Sequence, residues 1–329
     1  MNIPAKIAFL KHAFNGANIA HDGVNIAVAC PNQECLSSKE GKRKFSIHVG
    51  TDKSHCWVCG FKTKKNLLPA LRKVCSREEL REYMDKFLPD AASLKDAYDL
   101  EEIKDNEIVK IPDDFKLLAS NMTSRDPIIK ESITYLFKRG LYERDLWYYK
   151  FGVSQHSQFH RRVIMPSFDE DGNLNYFTAR AIDDKTRLKY FNATADKIVN
   201  IFNEVNIDWS QPLTIVEGPF DLTKCDDNAT CLLGSTLSED YLLFWKIVQN
   251  KTPVLLGLDA DVQKKTAKLV KLLQSYDVDV KIIDTGNFAD IGEMTKEDFL
   301  VSKQNACALS DSDILRNKIS SMSMKTKRT

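Results

Sequence analysis

Acidic residues follow three apolar segments in the C-terminal half of this 329-residue chain. Glu217 comes after LTIV, Asp259 and Asp261 end PVLLGLDAD, and Asp290 and Glu293 follow VDVKIID. If these segments are parallel strands, their carboxyl ends meet at one sheet edge, where like charges repel unless a divalent cation lies between them. Oxygen ligands favour Mg²⁺ or Mn²⁺ over zinc. The pattern therefore predicts a metal site where two ions could stabilise the attacking and departing oxygens of a phosphoryl displacement.

Helix capping is the alternative interpretation of acids in these positions. Asp221 and Ser238 stand where helix caps are expected, and a single Asp-x-Asp would be weak evidence for a metal site. A Glu-Gly pair and an Asp-x-Asp about forty residues later, each after an apolar strand, are harder to obtain by accident. We therefore favour the metal site.

Four cysteines lie close together in the N-terminal quarter of the chain. They form two pairs, Cys30-x4-Cys35 and Cys56-x2-Cys59, on either side of RKFSIHVG, whose alternating pattern predicts a strand. Soft thiolates in paired turns suit tetrahedral zinc, so the spacing predicts a structural zinc ribbon with no open coordination position. His48 and His55 are candidate substitute ligands.

The alternative is that these four thiols are reduced and packed as small apolar residues. The Gly after Cys59 favours the zinc turn over that interpretation. The other cysteines are scattered along the chain, and for them we expect ordinary buried thiols: Cys75, Cys225, Cys231 and Cys307.

The segment around the cysteines is strongly basic. Residues 36–75 hold ten Lys or Arg against two acidic residues, although the whole chain has a net charge of +1. The run Lys42–Lys44, with Phe45, Trp57 and Phe61, could supply phosphate contacts and stacking faces for single-stranded nucleic acid. A charge run is more often a solvated surface, so it is the position on a zinc ribbon that favours nucleic-acid binding.

The remaining patterns divide the chain into several units. Its length and its ordinary apolar content, 43%, predict a globular protein of two or three units. Apolar β-segments alternate with helical ones from Pro212 to Leu300, which predicts a parallel sheet. The predicted boundaries are a zinc-binding ribbon at 1–75, a helical or flexible connector at 76–127, a basic subdomain at 128–211, a metal-binding sheet subdomain at 212–300 and a mobile basic tail at 301–329.

The sequence contains no apolar stretch of the length that a membrane span requires, and its N-terminus lacks the pattern of a signal peptide. We therefore expect a protein with no membrane association that acts in the cytoplasm.

The acidic segments resemble a known domain family. The set Glu217–Asp221, the turn Leu233–Leu237, Asp259-Ala260-Asp261 and the Asp290 loop are similar to a TOPRIM domain. Upstream, RVIMP, YFTAR and KYFN resemble the polymerase-core motifs of DnaG-type primases, and the order of the parts is most similar to the T-even-type phage primases. The resemblance covers about residues 25 to 300. It implies an α/β fold, with an N-terminal zinc ribbon and a DnaG-type RNA polymerase core containing a TOPRIM parallel-sheet subdomain.

The resemblance also implies roles for individual residues. The metal-holding carboxylates would be Glu217, Asp259 and Asp261, with Asp221 and Asp290 as supporting catalytic acids. The triphosphate or nucleic-acid backbone would be contacted by Arg162, Arg180 and Lys189. One departure concerns the loop after the third strand, which lacks the family's Lys-Asp-x-Asp start, so a ligand role for Glu293 stays open.

The implied function is that of a DNA primase, an RNA-polymerising nucleotidyltransferase that makes short RNA primers on single-stranded DNA from ribonucleoside triphosphates. Two rivals share parts of this architecture: a non-enzymatic recombination mediator of RecR type and a TOPRIM nuclease. The sequence contains no G-x-x-x-x-G-K-[ST]. We therefore expect the unwinding engine to be a separate polypeptide. The resemblance to phage primases implies a replicative ring helicase as the primosome partner, with a single-strand-binding protein as a further candidate, and the host cytoplasm as the location if a phage encodes the protein.

Overall fold

The computed structural model describes residues 2–63, 66–88, 109–183, 186, 188–234, 236–259 and 263–308. Within them the strands form three sheets. The first contains β1 Asn18–Ile19, β2 Asn25–Val28, β3 Phe45–His48, β4 Ser54–Cys56 and β5 Lys62–Thr63. The second contains β6 Lys116–Leu117, β7 Gly152–Val153, β8 Arg162–Phe168, β9 Leu174–Ala181 and β10 Tyr190–Asn192. The third contains β11 Leu213–Val216, β12 Ala229–Cys231, β13 Val254–Gly257 and β14 Val280–Ile282.

Ten α-helices connect or flank these strands in the described part of the chain. They are α1 Ile3–Ala13, α2 Leu36–Lys39, α3 Leu68–Leu71, α4 Arg77–Phe87, α5 Pro127–Lys138, α6 Glu143–Tyr148, α7 Pro219–Leu222, α8 Leu242–Asn250, α9 Gln263–Gln274 and α10 Lys296–Gln304. Of the helices described, none combines the length and apolar content that a bilayer crossing needs.

The third sheet is parallel and has the strand order β12-β11-β13-β14. All residues of β11 and β13 are buried, as expected for central strands covered on both faces. The strands β11, β12 and β13 each lead into a helix that returns the chain to the start of the next strand. The predicted α/β fold with a parallel sheet is confirmed, and this topology brings the carboxyl ends of β11 and β13 side by side.

The first two sheets are antiparallel throughout. In β3 the side chains of Phe45 and Ile47 are buried and those of Ser46 and His48 are partly exposed, which gives the alternation that predicted this strand. The longest pairing of the second sheet joins β8 to β9. On its other side β9 pairs with β10, and this pairing places Arg180 opposite Tyr190.

The structure places helices within the predicted connector and across the predicted boundary at 300. Other parts of the predicted segments lie outside the described residues. The helix α4 belongs to the predicted connector, but it packs on α1, with the rings of Phe9 and Tyr83 5.3 Å apart. Most of the acidic part of that connector, 89–108, is outside the described residues. Helix α10 continues past the predicted boundary at 300 to Gln304, and residues 309–329 of the predicted tail are likewise not described.

The N-terminal region, which consists of the first sheet and helices α1 to α4 and is the predicted zinc-bearing region, contacts the parallel-sheet region through Glu239, whose side chain is buried. Its carboxylate accepts from Arg72 Nε at 2.9 Å and from Tyr276 Oη at 3.5 Å. Its backbone carbonyl accepts from Asn66 Nδ2 at 2.8 Å and from Trp245 Nε1 at 2.9 Å. A buried carboxylate needs such partners, so this acid joins the two regions.

We predict that Arg72→Ala lowers the free energy of unfolding by about 1–3 kcal/mol, because the substitution leaves a buried carboxylate without its cation. Urea unfolding measures the change. The control is Lys86→Ala, which breaks the exposed pair with Glu82 in α4 and should cost about 0.5 kcal/mol or less. Equal effects of the two substitutions would contradict a specific role for Arg72.

Candidate active site and zinc centre

The four clustered cysteines come together at the end of the first sheet. Their sulfur atoms all lie within 4.8 Å of one another. The Sγ atoms of Cys30 and Cys59 are 3.6 Å apart, and those of Cys35 and Cys56 are 3.8 Å apart. Zinc with Zn–S bonds of about 2.3 Å in a tetrahedron separates its sulfurs by about 3.8 Å, so this set has the dimensions of a structural zinc site.

Neither candidate histidine belongs to the cluster, which among the described residues consists of the four cysteines. His48 Nδ1 is hydrogen-bonded to the Thr51 hydroxyl at 3.0 Å. The ring of His55 packs edge-on against Trp57, with centroids 4.8 Å apart. The cysteines therefore form a complete ligand set without a histidine.

The three aromatic residues proposed for stacking differ in exposure. Phe45 is fully buried, and Phe61 packs against it with ring centroids 5.7 Å apart. Trp57 is 73% exposed. Of these three rings, that of Trp57 is the most exposed, whereas Phe45 lies on the buried face of β3.

The predicted carboxylates line one cavity of about 880 Å³ at the carboxyl ends of the parallel strands. Glu217 directly follows β11, and Asp259 lies close to the end of β13. Asp221 reaches the cavity from α7 and accepts a hydrogen bond from the Gly218 backbone N–H at 3.0 Å. Asp290 caps the following short turn by accepting from the Glu293 N–H at 3.0 Å. Asp261 lies outside the described residues.

Two glycines allow this close approach of loops and strand ends. A Cβ at Gly257 would lie 2.2 Å from Cδ1 of Ile291, so the missing side chain lets Ile291 pack onto the end of β13. A Cβ at Gly292 would lie 2.6 Å from Asp221 Oδ1 and 3.1 Å from Asp290 Oδ1. The loop that carries Asp290 can therefore sit against both the strand and the acid of α7.

Burial and the crowding of acids both affect the protonation of the cavity carboxylates. Burial, followed by the negative charges of Asp290 and Asp259, raises the pKa of Asp221 to about 7. A divalent cation would offset that repulsion, and the donor set consists of carboxylate oxygens, which suits Mg²⁺ or Mn²⁺. The donor type of these acids therefore suits a hard divalent cation, although among the described residues only the four cysteines have ligand atoms grouped closely enough to hold a metal.

Cationic side chains line the same cavity, contributed by helix α5 and its end, by the second sheet and by the segment after α7: Lys138, Arg139, Arg180, Lys189 and Lys224. The guanidinium carbon of Arg180 lies 4.8 Å from the centroid of the Phe220 ring and 5.1 Å from that of Tyr190. Arg180 also donates a hydrogen bond to the Tyr190 hydroxyl. Two of the three predicted basic residues, Arg180 and Lys189, are thus among the cavity-lining residues.

Arg162, the third predicted basic residue, has a different environment. It is 6% exposed and is not among the cavity-lining residues. Its guanidinium donates to the backbone carbonyls of Leu188 at 2.6 Å and of Ala179 and Lys189 at 3.3 Å each. Its contacts therefore hold the chain that carries Lys189 against β9.

Sequence reasoning missed Arg139 and Lys224 as cavity residues. Arg139 ends α5, and its position is set by the helix termination at Gly140, which has a φ of +71°. Lys224 donates to the Arg139 carbonyl from the segment after α7. The signal that could have revealed Arg139 is the Lys-Arg pair before a helix-ending glycine in TYLFKRG, but nothing in the sequence places this helix end opposite the acids.

The chain is similar to bacterial proteins described as DNA primase, whereas no family model matches it. It is 28% identical to the DNA primase of Mycoplasma genitalium over 182 residues, covering 51% of this chain and 30% of the relative. It is also 28% identical to the DNA primase of Clostridium acetobutylicum over 176 residues, covering 49% of this chain and 29% of the relative. The similarity thus spans less than a third of the length of these relatives.

The solved structures that it matches include the zinc-binding and RNA polymerase domains of the Aquifex aeolicus primase. That match has 18% identity and a TM-score of 0.48, and it covers 93% of this chain and 85% of the other. A DnaG primase catalytic domain bound to single-stranded DNA matches with 18% identity and a TM-score of 0.48, covering 61% of this chain and 81% of the other.

We predict that Cys56→Ala reduces bound zinc from about one ion per chain to a small fraction of that, since three thiols bind the metal far more weakly. Elemental analysis of the purified protein measures zinc. Cys75→Ala, which removes a thiol outside the cluster, is the matched control and should retain the metal. An intact protein without zinc would contradict the assignment.

We predict that Asp221→Asn stabilises the metal-free protein at pH 8 by about 2–4 kcal/mol and has little effect at pH 4. Because its pKa is raised from 3.8 to about 7, the folded state holds a proton that the unfolded chain releases, so stability falls as pH rises between about 4 and 7. Asparagine does not titrate, so the variant does not lose this stability as the pH rises. Urea unfolding with EDTA at several pH values measures it, and a difference that does not depend on pH would contradict the prediction.

Proposed function

We propose that the protein is a DNA primase that makes short RNA primers on single-stranded DNA by nucleotidyl transfer, as a step in DNA replication. The observation that carries the proposal is the cavity itself, in which carboxylates on parallel-strand ends face basic side chains from the second sheet. The 28% identity to bacterial DNA primases supports the same reaction. The finer likeness to T-even-type phage primases rests on the order of zinc ribbon, basic motifs and acidic loops in the sequence.

Glu217, Asp259 and Asp261 would hold the catalytic Mg²⁺ or Mn²⁺, with Asp221 and Asp290 as supporting acids. When bound, such ions stabilise the charge on the attacking and departing oxygens of an in-line phosphoryl displacement. No Ser, Cys or His nucleophile is needed, because catalysis of this reaction is mostly positioning and electrostatic stabilisation.

The basic side of the cavity would bind and orient the incoming ribonucleoside triphosphate. Lys189 is exposed, and Arg180 is held by two aromatic rings, so both can direct positive charge toward phosphates. Arg162 would act indirectly, by holding the carbonyl of Lys189. The nucleotide's negative charge would then lie between the basic residues and the acidic strand ends.

The zinc ribbon would engage the template strand. Its partly exposed sheet face places Ser46, His55 and Lys62 in one row across three strands. The Trp57 ring stands beside that row and donates from Nε1 to the Ser46 hydroxyl at 3.4 Å. A solvent-exposed indole next to basic residues is a typical stacking platform for single-stranded nucleic acid.

The rival functions are a DNA-binding recombination mediator and a nuclease. A mediator does not require an acidic cavity faced by cations, and a nuclease would yield fragments instead of primers. A replicative ring helicase is the partner proposed for unwinding, with single-strand-binding protein as a further candidate, and the cytoplasm is the proposed location.

We predict that Asp259→Ala and Glu217→Gln reduce primer synthesis by at least about a thousandfold, because each removes a metal ligand from the reaction centre. The assay incubates the protein with single-stranded DNA of mixed sequence, Mg²⁺ and labelled ribonucleotides. Binding of the single-stranded DNA is measured in parallel and should stay within about twofold of wild type.

The control for these variants is Asp171→Asn, an exposed acid in the turn between β8 and β9. Near-normal synthesis by Asp259→Ala would overturn the proposed site. Fragments in place of primers from the wild-type protein would favour the nuclease, and an absence of any product, even with helicases supplied, would favour the mediator.

We predict that Trp57→Ala weakens binding of a single-stranded oligonucleotide about five- to hundredfold, the range for loss of one base-stacking ring. Fluorescence anisotropy at fixed ionic strength measures it. Leu36→Ala removes another exposed apolar side chain of the ribbon and should leave affinity unchanged. Bound zinc should be the same in both variants, and an unchanged affinity of Trp57→Ala would exclude this ring from the interface.

A further inference from the structure

Two exposed aromatic rings stand on either side of the end of helix α5. Phe137 is 37% exposed and Tyr142 is 61% exposed, and their ring centroids lie 5.6 Å apart. The chain between them carries three residues that line the cavity, Lys138, Arg139 and Gly140, whereas neither ring is among the cavity-lining residues. This aromatic pair, Phe137 and Tyr142, therefore lies beside the cavity wall and is open to solvent.

Hydrogen bonds fix the backbone that carries the aromatic pair. The Gly140 N–H donates to the Phe137 carbonyl at 2.9 Å where α5 ends. The Tyr142 N–H donates to Asp145 Oδ2 at 2.9 Å, and the same carboxylate group pairs with Lys296 of α10. Both rings are thus carried by ordered chain, and a ligand that packs on them has few further groups to order.

The charges around the aromatic pair favour an anionic partner. Single exposed apolar side chains are ordinary, but two touching rings at the edge of a cavity are typical of an interaction surface. Within residues 127–150 the exposed acids are Glu131, which pairs with Arg161 at 2.6 Å, and Glu143. The exposed cations of the same stretch are Lys130, Lys138, Arg144, which contacts Asp227, and Lys150. Rings among an excess of cations suit nucleic acid, whose bases stack and whose phosphates are anionic.

The template is the strand that would bring free bases to this surface. In the proposed reaction the nascent RNA is paired with the template, so its bases are stacked within a hybrid duplex. Unpaired template bases next to the duplex keep their faces open to an aromatic ring. A ring pair that lies beside the cavity and not within it therefore fits an unpaired stretch of template.

We propose that the aromatic pair is a stacking platform for a base of the single-stranded DNA template, and that the neighbouring Lys138 contacts the phosphates of that strand. This proposal rests on the proposed function, since it names a second contact surface for the same template. It differs from the contact proposed for Trp57 in its place, because it belongs to the end of α5 beside the cavity and not to the N-terminal region.

The test measures binding to the full-length protein by fluorescence anisotropy at fixed ionic strength. The two labelled probes are an oligothymidylate of about twelve nucleotides and an abasic DNA oligomer of the same length. Tyr142→Leu removes a ring but keeps an apolar side chain, so it should weaken oligothymidylate binding about five- to hundredfold and leave binding of the abasic oligomer within about twofold of wild type. Phe137→Leu should give the same base-dependent loss.

Two controls accompany these variants. Tyr142→Phe keeps the ring and should bind both probes like wild type. Val205→Ala shortens an exposed apolar side chain that is not among the cavity-lining residues, and it should also leave both affinities unchanged.

The thermal unfolding midpoint of each variant separates a binding defect from misfolding. Unchanged oligothymidylate affinity in folded Tyr142→Leu and Phe137→Leu proteins overturns the proposal, as does an equal loss for both probes, which would show that no base stacks on the rings. Unchanged affinity with a loss of primer synthesis only when a helicase is present would assign the surface to a protein partner and also overturn it. These results leave the primase proposal standing if wild type makes primers. Conversely, a base-dependent loss in a protein whose wild type makes no primers would support the stacking contact and reject the primase.

Discussion

Mutual repulsion among carboxylates is the constraint on which the functional part of this fold depends. A parallel sheet brings the carboxyl ends of β11 and β13 together, and the chain places acids after both. Burial raises the pKa of Asp221 in the folded chain, and the negative charges of Asp290 and Asp259 raise it further. Neutral residues of similar size would avoid the repulsion, so the side-by-side placement of these acids does not favour stability. It suits a site whose charge is balanced by cations during function.

The surrounding residues hold the acids in place without neutralising all of their charge. Gly257 admits Ile291 against the end of β13, and the Asp290 loop is thereby fixed to the sheet by packing. Phe220, which precedes Asp221 in α7, carries two arginines on its ring. Packing on the Phe220 ring therefore brings the guanidinium groups of Arg139 and Arg180 near the acids, and it leaves N–H donors of these arginines for a ligand. The result is a cavity with opposite charges on facing walls, which suits a substrate that carries both metal-binding and arginine-binding oxygens.

The sequence allowed prediction of those features that depend on local spacing or on strand ends. The cysteine cluster followed from two close pairs, and the acidic edge followed from apolar segments that each end in a carboxylate. Side-chain direction and tertiary neighbours were harder to predict. Arg162 looked equivalent to Arg180 by motif, yet its side chain is buried among carbonyls, and Phe45 proved to be on the inner face of β3 while Trp57 is exposed. Arg139 was missed because its role depends on where the end of α5 meets α7, which no local pattern specifies.

The contact at Glu239 links the zinc-bearing region to the cavity. Leu233 and Gly234 contribute to the cavity wall, and the same connection between β12 and α8 continues to Glu239. At that point Arg72 and Asn66 from the zinc-bearing region hold its carboxylate and carbonyl. Glu239 thus joins the N-terminal region to the connection that also carries Leu233 and Gly234, two residues of the cavity wall.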